Sequence, residues 1–252
     1  MIETATQTKS YLYAIVSARA AGEAYGPIGI DGGQVHAISD GTLAAVVSDV
    51  PSQRLRPERR HLAAHHAVQK QLMGRGAMLP MAFGILADGP DAVRRILGLN
   101  REPLLAQLRV VEGKVEMTLR VAWDVSSIFE YFVRTHPELR MQRDRLFGGG
   151  REPSEDDKIE LGRLFDRLLG EDRAADTQKI LEALAPLCAD LRECPFRNER
   201  DVANLACLVA RDGLPQFEEG VFEAAKQFDD SYAFDYSGPW PPFNFAEVAL
   251  KV

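Results

Sequence analysis

The sequence predicts an α+β fold, with helices packed on one face of mainly antiparallel sheet, and three observations predict it. Val115, Met117, Leu119, Val121 and Trp123 alternate with Lys114, Glu116, Thr118, Arg120 and Asp124, the period of a strand with one buried face. Two β-branched and aromatic runs, at 11–18 and 43–50, are closed by turn-forming residues. From residue 112 onward the order reads strand, long helical region, strand, helix, strand. At 252 residues, 46% hydrophobic and 27% charged, the chain is long enough for a sizeable core and for two domains.

The elements follow in order. Between the two strands at 11–18 and 43–50, residues 34–38 suit a short strand. Pro57 heads a helix at 58–75, and Gly74 and Gly76 mark its exit. The apolar run 78–86 contains Pro80, which cannot donate to a ladder, so this strand lies at an edge or begins near the proline. Asp88-Gly89-Pro90-Asp91 opens a helical stretch to about Val111, expected to break near Pro103. Residues 125–195 carry helical patterns. Ser154 before Glu155, Asp156 and Asp157 is a capping signature, because a hydroxyl satisfies an orphan N–H and acids favour the positive helix end. Leu161, Leu164, Phe165 and Leu168 repeat at helical spacing, as do Ile180, Leu184, Leu187, Cys188 and Leu191, with a break expected at Pro186. The triplet Gly148-Gly149-Gly150 reads as a flexible joint. Residues 202–210 are apolar on both faces, as in a central strand. Pro215 starts a helix with Phe217, Val221, Ala224, Ala225 and Phe228 on its stripe, and 231–236 forms the last strand.

Composition excludes several function classes. The net charge of −7 divides into +3 over residues 1–110 and −10 over 111–252, and an acidic second half disfavours a nucleic-acid partner. The dense basic group Arg54, Arg56, Arg59 and Arg60 covers one helix turn, the pattern of a solvated face. The polar start, without the basic and apolar run of a signal peptide, and the lack of a membrane-length apolar stretch point to the cytoplasm and no membrane. Three cysteines cannot close a disulfide framework.

The candidates for catalysis are weak. His61 and His65 stand four apart on a helix, a chelating spacing, but the run His61-Leu62-Ala63-Ala64-His65 lacks the glutamate of a metalloprotease and no third ligand is identifiable. They share a face with Val68 and Leu72, which suits a core edge or domain contact. Cys188 and Cys207 sit in apolar patterns where cysteine acts as a small hydrophobe. Cys194, before Pro195, is the one cysteine expected in a loop. Gly148-Gly149-Gly150-Arg151 lacks the ending of a P-loop, and Gly22, Gly26 and Gly29 have the wrong spacing for a dinucleotide fingerprint. No cofactor or metal is expected. The alternative to a binding protein is a metal- or thiol-dependent enzyme using His61, His65 or Cys194.

Residues 236–245 differ in kind, with three prolines and four aromatics in ten positions. Prolines stiffen the backbone, so the aromatics are held at low entropic cost. Trp240, Phe243 and Phe245 either clasp the domain's own core or form a preorganised patch that meets a partner.

The segment Ser237-Gly238-Pro239-Trp240-Pro241-Pro242-Phe243-Asn244-Phe245 resembles the C-terminal signature of the gas vesicle protein F/L family. The opening strand Tyr11-Leu12-Tyr13-Ala14-Ile15-Val16, the segment Leu79-Pro80-Met81-Ala82-Phe83-Gly84 and the strand Gly113-Lys114-Val115-Glu116-Met117 agree with it. The chain departs at Ala82, where arginine is common, and at Ile85, where threonine is common. The resemblance implies an N-terminal α+β domain (1–111) and a C-terminal ferredoxin-like domain (112–252) with a variable helical insertion at about 125–195. It also implies a noncatalytic accessory or minor structural protein of gas vesicles, inside the cytoplasm. Its expected partners are the hydrophobic major shell protein and other accessory proteins, met through Trp240, Phe243, Phe245 and Phe83.

Overall fold

The structure, a computed structural model, describes residues 8–22, 24–51, 55–148, 153–247 and 249–251. Arg54, Gly149, Gly150, Arg151 and residues 1–7 lie outside them, so the glycine joint and part of the basic group are not described beyond Gly148 and the arginines from Arg56 onward. The chain divides into two compact units, Met1–Glu116 with Gly238–Val252, and Met117–Ser237.

The first unit holds a sheet in the order β2-β3-β4-β1-β5, with β6 also paired to β1. Its strands are β1 (Lys9–Ser17), β2 (Ala24–Gly26), β3 (Val35–Ser39), β4 (Leu43–Val50), β5 (Met78–Pro80) and β6 (Leu86–Ala87). β1 is central and buried from Ser10 to Val16, which explains its continuous run of large side chains. The run read as one strand at 78–86 is instead two short ones, both against β1, and Pro80 lies in the edge strand β5. An edge position tolerates its missing N–H. Helix α1 (Arg59–Met73) buries His61, His65, Val68, Gln69 and Leu72 and exposes Ala63, His66, Ala67 and Lys70.

Helices α2 (Gly89–Leu99) and α3 (Arg101–Val111) replace the single stretch expected to break near Pro103. The break falls at Asn100, whose Nδ2 donates to the Ile96 carbonyl at 2.7 Å and to the Lys251 carbonyl at 2.9 Å. Pro103 sits in the first turn of α3, where helical N–H groups have no intrahelical partner and a proline is tolerated.

The second unit runs through β7 (Lys114–Trp123), α4 (Ile128–Thr135), α5 (Pro137–Phe147), α6 (Glu155–Leu184), β8 (Asp190–Glu193), β9 (Asp201–Ala210), α7 (Leu214–Ala225) and β10 (Tyr232–Trp240), with the sheet order β10-β7-β9-β8. The first residues of β7 and the last of β10 group with the first unit. β9 is an interior strand buried from Asp201 to Val209, in accord with its doubly apolar sequence. Its Asp201 is fully buried and accepts a 2.6 Å ion pair from Arg120 of β7.

Four sequence expectations are corrected in this unit. The two helical patterns on either side of residue 170 form one 30-residue helix, α6. It ends at Leu184, and a single 3-10 turn at Ala185–Leu187 follows where Pro186 removes a helical donor. The region read as helical to 195 gives up its last residues to β8, so Cys188 and Leu191 are not on a helix. Phe228 lies beyond the end of α7. The last strand is longer than 231–236 and runs through Pro239 to Trp240 on a sheet edge.

The start of α6 bears out the capping signature. The Asp157 backbone N–H donates to Ser154 Oγ at 3.2 Å, and the Ser154 N–H donates to Asp157 Oδ2 at 3.0 Å. Replacing Ser154→Ala is expected to lower stability by about 1 kcal/mol in urea denaturation, the usual loss for an N-cap hydroxyl.

Candidate functional site

The site is built around an irregularity in β1. The pairing of β1 with β4 slips between Leu12 and Ala14, so Tyr13 is the extra residue. A bulge removes a residue from the regular ladder, and its buried carbonyl needs another donor. The Tyr13 carbonyl accepts from Gln69 Nε2 at 2.8 Å and from the Met81 N–H at 3.0 Å. Gln69 Nε2 also donates to the Met81 carbonyl at 3.0 Å. Two carbonyls facing one amide fix which end of Gln69 is the NH₂ group.

One turn earlier on α1, His65 joins the same network. Its Nε2–H donates to the Met81 carbonyl at 3.0 Å, and its Nδ1 accepts from the Tyr11 hydroxyl at 2.8 Å. The roles follow from the partners, since a carbonyl can only accept. The Gly84 N–H donates to Tyr11 Oη at 3.2 Å, so the relay runs from the 81–84 segment through Tyr11 and His65 back to that segment. Tyr13 Oη accepts from the Ile30 N–H at 2.8 Å and lies 2.8 Å from Ser48 Oγ. Gly29 lets this hydroxyl approach, because a Cβ there would stand 2.7 Å from it. Burial lowers the His65 imidazole to about pKa 4, outweighing its bond to the Met81 carbonyl, so the ring is neutral near pH 7.

Over this network lies an open cleft of about 550 Å³. Helix α1 contributes Ala63, His66, Ala67 and Lys70 together with Gln69, and the C-terminal segment contributes Pro239, Trp240, Pro241 and Phe243. Glu116 and Asn244 complete the lining. The Asn244 backbone N–H donates to Glu116 Oε2 at 2.8 Å and its Nδ2 donates to Oε1 at 2.6 Å, which ties the segment after β10 to the start of β7. Burial pushes the Glu116 carboxyl above the usual range despite these two bonds. This pair lay hidden in the sequence, because Glu116 occupies the polar phase of a period-two pattern and yet is buried.

The four aromatics read from the sequence have different surroundings. Phe245 is 1% exposed and packs inside, while Trp240 and Phe243 are 46% and 41% exposed at the cleft. Phe83 is half-buried, its ring centroid 5.9 Å from Tyr11 and 5.8 Å from His65. Trp240 and Phe243 are therefore brought together, and Phe83 lies over the polar network of the same unit.

His61 and His65 both spend their two ring nitrogens on protein groups. His61 Nδ1 bonds the Arg56 carbonyl at 2.9 Å and Nε2 bonds Asp31 Oδ1 at 3.1 Å, and the Arg56 bond, helped by Asp31, raises its pKa. Among the described residues no group of three or more His, Cys, Asp or Glu side chains could hold a metal ion. Cys194 is half-buried, and its backbone N–H donates to the Asn204 carbonyl at 2.7 Å. No helix of the described residues is long and apolar enough to cross a membrane.

Comparison with known proteins decides the family. The family model described as "Gas vesicle synthesis protein GvpL/GvpF" matches residues 9–247. The chain belongs to this family. It is 33% identical to gas vesicle protein F of Streptomyces sp. (strain CB03234) over 227 residues, covering 89% of this chain and 93% of that protein. Its fold is similar to the crystal structure of GvpF from Anabaena sp. PCC7120, with a TM-score of 0.84 at 23% identity over 96% of this chain and 99% of that one. The crystal structure of GvpF from Microcystis aeruginosa gives a TM-score of 0.77 at 22% identity, covering 95% and 99%.

In this gas vesicle protein the segments that carry the family resemblance converge on the first unit. Tyr11 and Tyr13 of the opening strand, Met81, Phe83 and Gly84 of the 79–84 segment, Glu116 of β7 and Asn244 of the C-terminal signature are all partners in the bonds and ring contacts above. The two departures fall beside them, with Ala82 exposed and Ile85 half-buried, its carbonyl accepting from the Leu12 N–H at 3.0 Å.

Two outcomes are expected. Phe245→Ala should cost about 3–5 kcal/mol as a core truncation, whereas Phe243→Ala should stay within about 1 kcal/mol, both read by urea denaturation. For His65, the folded value near 4 lies below the free value of 6.5, so its contribution to stability is complete above pH 6.5 and is lost as the pH falls toward 4. The stability difference between the protein and its His65→Gln variant should narrow from pH 7 to pH 4. A difference constant across that window would contradict the buried neutral ring.

Proposed function

We propose that this chain is a noncatalytic accessory or minor structural protein of gas vesicle assembly. It binds the hydrophobic major shell protein and other accessory proteins during nucleation or wall growth. The observation that carries the reading is the exposed pair Trp240 and Phe243, held on a proline-rich segment beside a cleft in a chain of the gas vesicle family. Exposed aromatics on stiff backbone are efficient binding groups, since little side-chain or backbone freedom is lost on association. A shell subunit that must bury apolar surface in a wall is aggregation-prone before it arrives there, and a partner with such a surface shields or positions it.

The same proposal takes the chain as two domains with a boundary near residue 111, the second being ferredoxin-like with a helical insertion. Support comes from the β-α-β-β-α-β order and the strand order β10-β7-β9-β8. The division between Glu116 and Met117 lends further support, although residues 238–252 group with the first unit.

The test is a pull-down of the shell protein with the purified chain, paired with vesicle production in a strain lacking it. Retention of the shell protein and loss of vesicles are expected. Failure of both would overturn the reading, and loss of vesicles with a stably folded Cys194→Ala variant would favour thiol chemistry instead.

A further inference from the structure

Resting on the reading that this protein binds a gas vesicle protein, we propose that the cleft between α1 and the proline-aromatic segment docks a partner segment in which apolar side chains stand next to an acidic residue. Three observations specify that occupant.

The first is shape and surface. Ala63 and Ala67, one helical turn apart, present only methyl groups to the cleft, opposite the rings of Trp240 and Phe243. Small residues facing aromatics leave room for apolar side chains, and the volume of about 550 Å³ is that of a ligand cleft.

The second is charge. Lys70 is exposed at the cleft and makes no ion pair with any described residue. The carboxylate that also lines the cleft, Glu116, is already engaged by both donors of Asn244. Lys70 is thus the exposed charge of the cleft, beside an apolar surface, while Glu116 is buried, which favours a carboxylate on the occupant and disfavours a lysine or arginine.

The third is a polar atom. Gln69 is fully buried, lines the cleft and has its NH₂ committed to the Tyr13 and Met81 carbonyls, while its Oε1 is buried with no hydrogen-bond partner. A buried acceptor without a donor is unfavourable. The atom is sealed in the free protein, so a peptide N–H of the occupant reaches it only as the side chains around it shift on docking.

The experiment uses the full chain and an array of overlapping 15-residue peptides tiling the gas vesicle shell protein, with affinities followed by the fluorescence of Trp240 in a Trp123→Phe background that retains the fold. Peptides that pair apolar side chains with Asp or Glu are expected to bind. Ala67→Phe fills the cleft from an exposed helix position and should weaken them by about ten-fold or more. Lys70→Glu should weaken the same peptides and improve their counterparts carrying Lys in place of the acid.

Binding that is indifferent to both substitutions overturns the proposal, as does an array in which no peptide binds. Self-association of the chain that Ala67→Phe abolishes, with no peptide bound, overturns it in favour of a second copy as the occupant. Should the Ala67→Phe protein still retain the intact shell protein in pull-down as well as wild type does, the cleft assignment fails and the function proposed above stands. If the wild-type chain does not retain it either, that function fails.

Discussion

The bulge carbonyl of Tyr13 is the constraint on which the first unit depends. Deep in a strand buried from Ser10 to Val16, it has left the regular ladder, and it is satisfied by the Gln69 amide and the Met81 N–H. Meeting that need sets the rotation of α1, because Gln69 must face the sheet. With 3.6 residues per turn, His65 then faces inward too, while Ala63, His66, Ala67 and Lys70 face out. The composition of the outer surface is thus decided by a hydrogen bond on the inner one. The same bonds hold the 81–84 segment and seat Phe83 against Tyr11 and His65. A network in which nearly every member is satisfied specifies one arrangement, and the single exception, Gln69 Oε1, belongs to the residue that lines the cleft.

The C-terminal segment performs two tasks by dividing its aromatics. Phe245 is buried and anchors the segment, and Asn244 ties it to Glu116. Trp240 and Phe243 remain half in solvent. The clasp and the patch are therefore neighbouring parts of one device, with the buried ring and the buried carboxylate fixing the position of the exposed rings. Replacing Asn244 with aspartate would leave Glu116 only the backbone N–H and set a second carboxylate against it in a buried place, which is costly.

Much of the fold was legible in the sequence where one face of an element is uniformly apolar. β1, β4, β7 and β9 were readable from run length or period, and α7 from Pro215 and its stripe. β8 was not, because Asp190–Glu193 is short, polar and half-exposed at a sheet edge, and its Leu191 continues a helical spacing by coincidence. The break at Asn100 was missed because a side-chain amide, rather than a proline, ends α2 there. The site was legible only in part. Trp240 and Phe243 stood out by composition, but the polar network joins residues 54 and 56 positions apart, and no local pattern carries such a pairing. His65 looked like half of a chelating pair because the spacing that places two histidines on one helix face is the same whether they meet a metal or the protein's own carbonyl and hydroxyl groups.

The central claim is that the Trp240 and Phe243 side of the first unit is where this gas vesicle protein meets its partner. The most direct measurement places a photocrosslinking phenylalanine analogue at Phe243, and in a second strain at Phe222, which is 57% exposed on α7 of the other unit. Illumination during vesicle formation should join the first to the shell protein and leave the second unlinked. Crosslinks to the shell protein from position 222 with none from 243 would contradict the account.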